Sequence, residues 1–166
     1  MTCAIVLMGV SGCGKTTVGM SLARILGWPL YDGDDFHPEA NITKMSQGIP
    51  LNDDDRHRWL ANLHNLISDH IDADLSMLLA CSALKQKYRD QLTMEKSGVV
   101  FIYLRGDYDL IQRRIQARER HYMKASMLKS QFEALEEPID AVVVNIDQSL
   151  DSIVKQILRE LNLDDT

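Results

Sequence analysis

Gly9-Val10-Ser11-Gly12-Cys13-Gly14-Lys15-Thr16 fills every fixed position of the spacing G-x-x-x-x-G-K-[ST]. Each fixed residue type has a physical job. Glycines let the backbone curl with its N–H groups inward, where a β-carbon would block a polyphosphate. A helix that follows aims its positive N-terminus at the same point. Lys15 would bridge the β- and γ-phosphates, and the Thr16 hydroxyl would take a position on Mg²⁺. The candidate nucleotide contacts are Gly9, Val10, Ser11, Gly12, Cys13, Gly14, Lys15, Thr16 and Thr17. Cys13, close to a helix N-terminus, sits where a thiolate can be favoured, so alkylation there is expected to inactivate; the alternative is a small filler at a variable position.

A second group that could do chemistry is Asp32-Gly33-Asp34-Asp35-Phe36-His37-Pro38. Three carboxylates around a glycine repel one another unless a cation or a substrate proton compensates. One of Asp32 and Asp34 would hold Mg²⁺ through water and the other would take a proton from an attacking hydroxyl. A kinase needs a base near the γ-phosphate, which favours Asp34. Asp35 suits a cap for the next helix, with Pro38 at its first position. Arg56 and Arg58 precede a helical stripe, where a guanidinium could clamp a carboxylate or lie solvated. Farther on, Arg113, Arg114, Arg118, Arg120, His121 and Lys124 concentrate cations where a triphosphate needs screening, which suggests a lid at about 118–130.

These groups need elements to hold them. The apolar run 3–8 reads as a parallel strand buried on both faces, and Val18, Leu22, Ile25 and Leu26 recur at helical spacing until Gly27 and Pro29. Leu30 and Tyr31 form a short strand into the acidic turn. The stretch 39–47 is polar and weakly periodic, and Gly48 and Pro50 break it. One carboxylate at 53–55 should cap a helix carrying Trp59, Leu60, Leu63, Leu66, Ile67 and Ile71. Further strands are expected at 76–81, 99–104 and 141–146, with Ser82 as an N-cap before a helix holding Lys87, Tyr88 and Arg89. Asp107 should cap a helix with Tyr108, Ile111 and Ile115 on one face, and Ile153, Val154, Ile157, Leu158 and Leu161 mark a closing helix. Alternation of strands and helices gives an α/β fold with a parallel sheet and right-handed crossovers.

The chain of 166 residues suits a single domain, 1–166, with a substrate-binding helical region at about 35–70. Its composition, 45% hydrophobic and 25% charged, is ordinary for a globular protein. A net charge of -6 offers no footprint for nucleic acid or anionic membrane. Cys3, Cys13 and Cys81 are odd in number and lack metal-ligand spacing, so a reducing cytoplasm is the expected compartment. No secretion leader and no membrane-spanning run is expected.

Beyond the phosphate loop, the acidic turn, Asn41-Ile42-Thr43-Lys44-Met45, Gly48-Ile49-Pro50-Leu51-Asn52-Asp53-Asp54-Asp55-Arg56, Cys81-Ser82-Ala83-Leu84-Lys85, Tyr88-Arg89-Asp90, Phe101-Ile102-Tyr103-Leu104 and the segment 131–138 closely resemble the gluconokinases over nearly the whole chain. The resemblance implies ATP-dependent phosphorylation of D-gluconate at its terminal hydroxyl, giving 6-phosphogluconate for sugar-acid catabolism. It implies a five-stranded parallel sheet in the order 2-3-1-4-5, a fold like nucleoside monophosphate kinases and shikimate kinase, a homodimer, and ATP with Mg²⁺. On it, Asp34 is the base and Asp32, with Thr16, serves the metal. By similarity to the adenylate kinase lid helix, Arg114 would stack on adenine and Arg118 would reach the phosphoryl group in flight alongside Lys15. A polyol with one carboxylate needs a cation and several hydrogen-bonding side chains, and His37, Arg56, Lys85 and Arg89, with Asp34, are the candidates. Shikimate or a nucleoside monophosphate is the competing acceptor. The strand ending at Cys81 lacks the glycine run that shikimate kinases resemble one another in having, and the acidic turn would repel a monophosphate. A nucleotide-dependent binding switch would not need that turn.

Overall fold

The computed structural model describes residues 2–117 and 125–164. Its sheet is all parallel, with five strands in the order β2-β3-β1-β4-β5. They are β1 (Ala4–Met8), β2 (Leu30–Asp32), β3 (Met77–Ala80), β4 (Val99–Arg105) and β5 (Val142–Asn145). The order is the expected one. β1 sits in the middle with every residue buried, as its unbroken apolar run requires.

Period-two alternation divides the core between the two faces of the sheet. Ile5, Leu7, Leu78, Ile102, Leu104 and Val144 face one way, against α1 (Lys15–Leu26), α5 (Tyr108–Gln116), α6 (Ala125–Ala134) and α7 (Leu150–Glu160). Ala4, Val6, Met8, Met77, Leu79 and Tyr103 face the other way, against α3 (Asp53–Asp72) and α4 (Gln86–Thr93). α2 (Glu39–Ser46) lies between the acidic turn and α3 and is the helix expected to follow Pro38. No helix among the described residues is long and apolar enough to cross a membrane.

Helix ends follow the chemistry of caps, with three departures from expectation. Gly27, at φ 70°, closes α1, and Asp107 accepts from the Leu110 N–H at 2.8 Å to open α5, both as expected. α3 opens at Asn52, whose side chain accepts from Asp55 N–H while Asp55 accepts from Asn52 N–H. This capping box gives the carboxylates 53–55 the first turn, so the helix starts earlier than its apolar stripe and Arg56 lies within it. α2 has Pro38 at its N-cap position, with no side-chain cap from Asp35. α4 has Lys85 rather than Ser82 at its N-cap position.

Candidate active site

The phosphate loop joins β1 to α1 at the carboxyl edge of the sheet. Gly9 adopts φ 144°, and a β-carbon there would lie 2.8 Å from Cys13 Sγ and 3.0 Å from the Leu104 carbonyl oxygen. The loop can therefore double back only over glycine. Parallel pairing continues past the strand ends: Cys81 N–H donates to Leu7 O at 3.1 Å and Gly9 N–H to Ser82 O at 3.2 Å. Lys15 folds back so that its ammonium donates to Gly9 O at 3.0 Å and to Val10 O at 3.2 Å.

At Cys13 the structure favours the small filler over the thiolate. It is 1% exposed, and burial pushes its thiol up, outweighing the pull of Lys15 3.9 Å away. It serves as packing beneath Gly9. Cys81 is more extreme, its thiol pushed up to about 12 by burial.

The acidic turn is a short 3₁₀ segment, Gly33–Phe36, held by three contacts. Asp32 caps it by accepting from Asp34 N–H at 3.0 Å. Gly33 passes so close to β3 that a β-carbon would meet the Ala80 carbonyl oxygen at 3.0 Å. The Trp59 indole N–H donates to Gly33 O at 2.7 Å, which anchors the turn to α3. Asp34 is exposed to solvent, yet its carboxyl is raised above 3.8, first by the desolvation its neighbours impose and then by the Asp32 charge, with His37 and Lys15 pulling the other way. A carboxylate so placed takes a proton more readily than an isolated one.

His37 stacks on Trp59 with ring centroids 4.4 Å apart and planes 13° from parallel. Buried Asn41 donates its amide N–H to Asp55 O at 2.9 Å, which fixes which end of the carboxamide is nitrogen. The same nitrogen lies 3.2 Å from His37 Nδ1. Nδ1 therefore accepts and the proton sits on Nε2. Burial lowers the His37 pKa below 6.5, with Asp34 opposing the shift and Arg56 adding to it, so the ring is neutral at pH 7.

Two cavities meet here. One, of about 590 Å³, is lined by Ser11, Gly12, Gly14, Lys15, Thr16, Thr17, and by Asp32 and Asp34. The other, of about 380 Å³, is lined by Arg56, Trp59, Lys85, Tyr88 and Ser130 among others. Ser82 and Gln131 line both. In the second cavity the Arg56 guanidinium and the Lys85 ammonium each stand 5.8 Å from the centre of the Tyr88 ring, and Lys87, outside the lining, stands 5.6 Å from it. The carboxylate paired with this group is Asp53, 2.8 Å from Lys87 and 3.9 Å from Arg56. Among the described residues the cavity wall itself carries two cations, Arg56 and Lys85, and no carboxylate, in a protein whose net charge is -6.

Arg114 lines a smaller cavity, about 210 Å³, with Gly12, Gly14, Thr17, Gln148 and Leu150 on the α7 side of the loop, and donates to Ile146 O at 2.7 Å. Arg89 corrects the expectation that it reaches the acceptor. It is 3% exposed, and its guanidinium donates to Ala83 O at 2.7 Å, Glu136 O at 2.8 Å and Gln86 Oε1 at 3.1 Å. It ties α4 to the segment leading into β5. Arg118, with Arg120, His121 and Lys124, lies outside the described residues, as does much of the expected lid at 118–130.

Gln131, Asn41 and Ser82 were missed as site residues. Gln131 Oε1 accepts from Ser11 N–H at 2.7 Å and its Nε2 donates to Ser11 Oγ at 3.0 Å across a separation of 120 residues. No local pattern announces such a pairing; a motif segment, 131–138, far from the loop in sequence was the available signal.

The shikimate kinase family model matches residues 11–162. The thermoresistant gluconokinase of Escherichia coli is 46% identical over 153 residues, covering 90% of this chain and 87% of that protein. The crystal structure of a gluconokinase from Sinorhizobium meliloti superposes with a TM-score of 0.85 at 40% identity, over 96% of this chain and 91% of that one. An unliganded sugar kinase from a Janibacter species does so with a TM-score of 0.88 at 38% identity, over 98% and 96%. With identities of this size over nearly the full length of both partners, the chain belongs to the gluconokinase family, among the kinases that the shikimate kinase family model describes.

Proposed function

We propose that the protein transfers the γ-phosphoryl group of ATP to the terminal hydroxyl of D-gluconate, giving 6-phosphogluconate. The observation that carries this reading is the junction of two unlike cavities. One has the phosphate loop and Asp34, and the other has a cationic surplus around Tyr88. The names of the relatives supply the acceptor. A shikimate carboxylate would also suit cations, but the relatives at 38–46% identity are gluconokinases and a sugar kinase.

In this reading the loop amides and Lys15 hold the triphosphate, with Lys15 exchanging its carbonyl partners for phosphate oxygens. Arg114, beside Gly12 and Thr17, carries the adenine. The gluconate carboxylate lies against Arg56 and Lys85, and the His37 Nε2–H donates to a hydroxyl. Asp34 then takes the proton of the attacking hydroxyl as it meets the γ-phosphorus. Arg118 belongs to the same proposal as a screen for the moving charge. The donor set fits magnesium: Thr16 Oγ1 and Asp32 line the same cavity, and Mg²⁺ binds through one or two protein oxygens, water and substrate phosphates. When bound, it neutralises phosphate charge. The homodimer belongs to this reading too, and rests on the family resemblance.

The test is ADP release from purified protein with Mg·ATP and gluconate, shikimate or AMP offered separately. Turnover is expected with gluconate and not with the other two. Turnover with shikimate or AMP instead would sink the acceptor assignment and leave the nucleotide site standing.

A further inference from the structure

In any transfer between these two cavities the phosphoryl group must cross where they join. The residues common to both walls are Ser82 and Gln131, and both are bonded to the phosphate loop. Ser82 uses its backbone, accepting from Gly9 N–H at 3.2 Å. Gln131 uses its side chain, with both ends of the carboxamide on Ser11. A side chain held at two points has a fixed direction, and fixed direction is what a donor to a transition state needs.

The donor arithmetic leaves something over. A carboxamide has two N–H donors, and its oxygen has two lone pairs. Pairing with Ser11 occupies one donor and one lone pair. Gln131 and Ser11 both also line the nucleotide cavity, which Lys15 and Asp34 share. We propose that Gln131 is a catalytic residue: its second Nε2–H donates to an oxygen of the phosphoryl group as it passes between the cavities, and the Ser11 pairing holds the amide plane for that contact. The proposal rests on the phosphotransfer reading above. It also gives α6 a role, since Gln131 joins that helix directly to the nucleotide loop.

Gln131→Glu is the informative variant. Its carboxylate still accepts from Ser11 N–H, and the Ser11 hydroxyl can turn to donate, so the two-point pairing survives. The donor at the crossing becomes a negative charge. The wild type and the variant are assayed for ADP release and phosphorylated gluconate, with thermal melts alongside. The expected result is a kcat lower by about 100-fold, with both KM values within about threefold and an unchanged melting temperature. A merely structural role would not separate kcat from KM in this way. An unaffected kcat, or a loss confined to KM, overturns the proposal. If Gln131→Glu does not fold, Ser11→Ala decides. It removes the Oγ partner alone and should lower kcat by about threefold to tenfold at constant KM, whereas an unchanged kcat overturns the proposal. A wild type that turns over no gluconate overturns both readings; a working wild type with an unaffected variant overturns this one alone.

Discussion

Asp34 is costly to the fold that contains it. Desolvation and the Asp32 charge raise its carboxyl above 3.8, so the folded chain binds that proton more tightly than the unfolded chain does. Ionised Asp34 therefore opposes folding, beginning above 3.8 and reaching its full extent once pH passes the raised folded value. Asp34→Asn should lower kcat by about 100-fold to 10,000-fold while raising the melting temperature at pH 7, a combination that calorimetry and an ADP assay read together. In the wild type, the acid limb of kcat/KM should lie above 3.8, because the base must be ionised to act. His37 is placed oppositely. Its lowered pKa and its Nδ1 bond to Asn41 keep it a neutral donor rather than a competing base. The carboxylates and the histidine were legible as residue types around a glycine. Which ring nitrogen carries the proton was not, because that follows from Asn41 and its contact with Asp55, 14 residues away.

At the scale of elements, the site is held by ties between segments far apart in sequence. Arg89 illustrates the difference this makes. Read along the chain, an arginine next to Tyr88 and Lys87 belongs to a cationic acceptor site. In the fold, helical geometry turns it away from Lys87, two positions before it, and its guanidinium is buried against the carbonyls of Ala83 and Glu136. Arg89→Met should therefore cost about 2–4 kcal/mol of stability in a urea titration, since buried carbonyls lose charged donors. The gluconate KM of the surviving folded protein should change by less than about threefold, the size of a small indirect effect. The capping of α3 shows the same limit on a smaller scale. Three aspartates announce a helix start, but reciprocal bonds with Asp55 settle it at Asn52. Strands and helices themselves were legible because apolar runs of four to six residues and 3.6-residue stripes are local signals.

For the whole molecule, the strand order is what the resemblance to the gluconokinases implies, and the observed pairings agree with it. The alternation of strands and helices by itself reads only as a parallel sheet with right-handed crossovers, because which strand neighbours which is set by contacts between distant segments. The pairing of cavities across the sheet's carboxyl edge was legible only as a direction, because Gln131 and Ser82 reach the loop through contacts that no sequence window contains. Ligand linkage provides a global check. Mg·ATP at about 100 times its Kd should add about 2.7 kcal/mol and raise the melting temperature by about 5–10 °C for a domain of this size, measured by scanning calorimetry. Lys15→Met should abolish most of that rise.

Lys15 carries one more implication. Its ammonium has two carbonyl partners within its own loop, Gly9 O and Val10 O. The loop thus satisfies its own cation, and a triphosphate entering the cavity beside it takes over bonds that Lys15 would otherwise make to the chain.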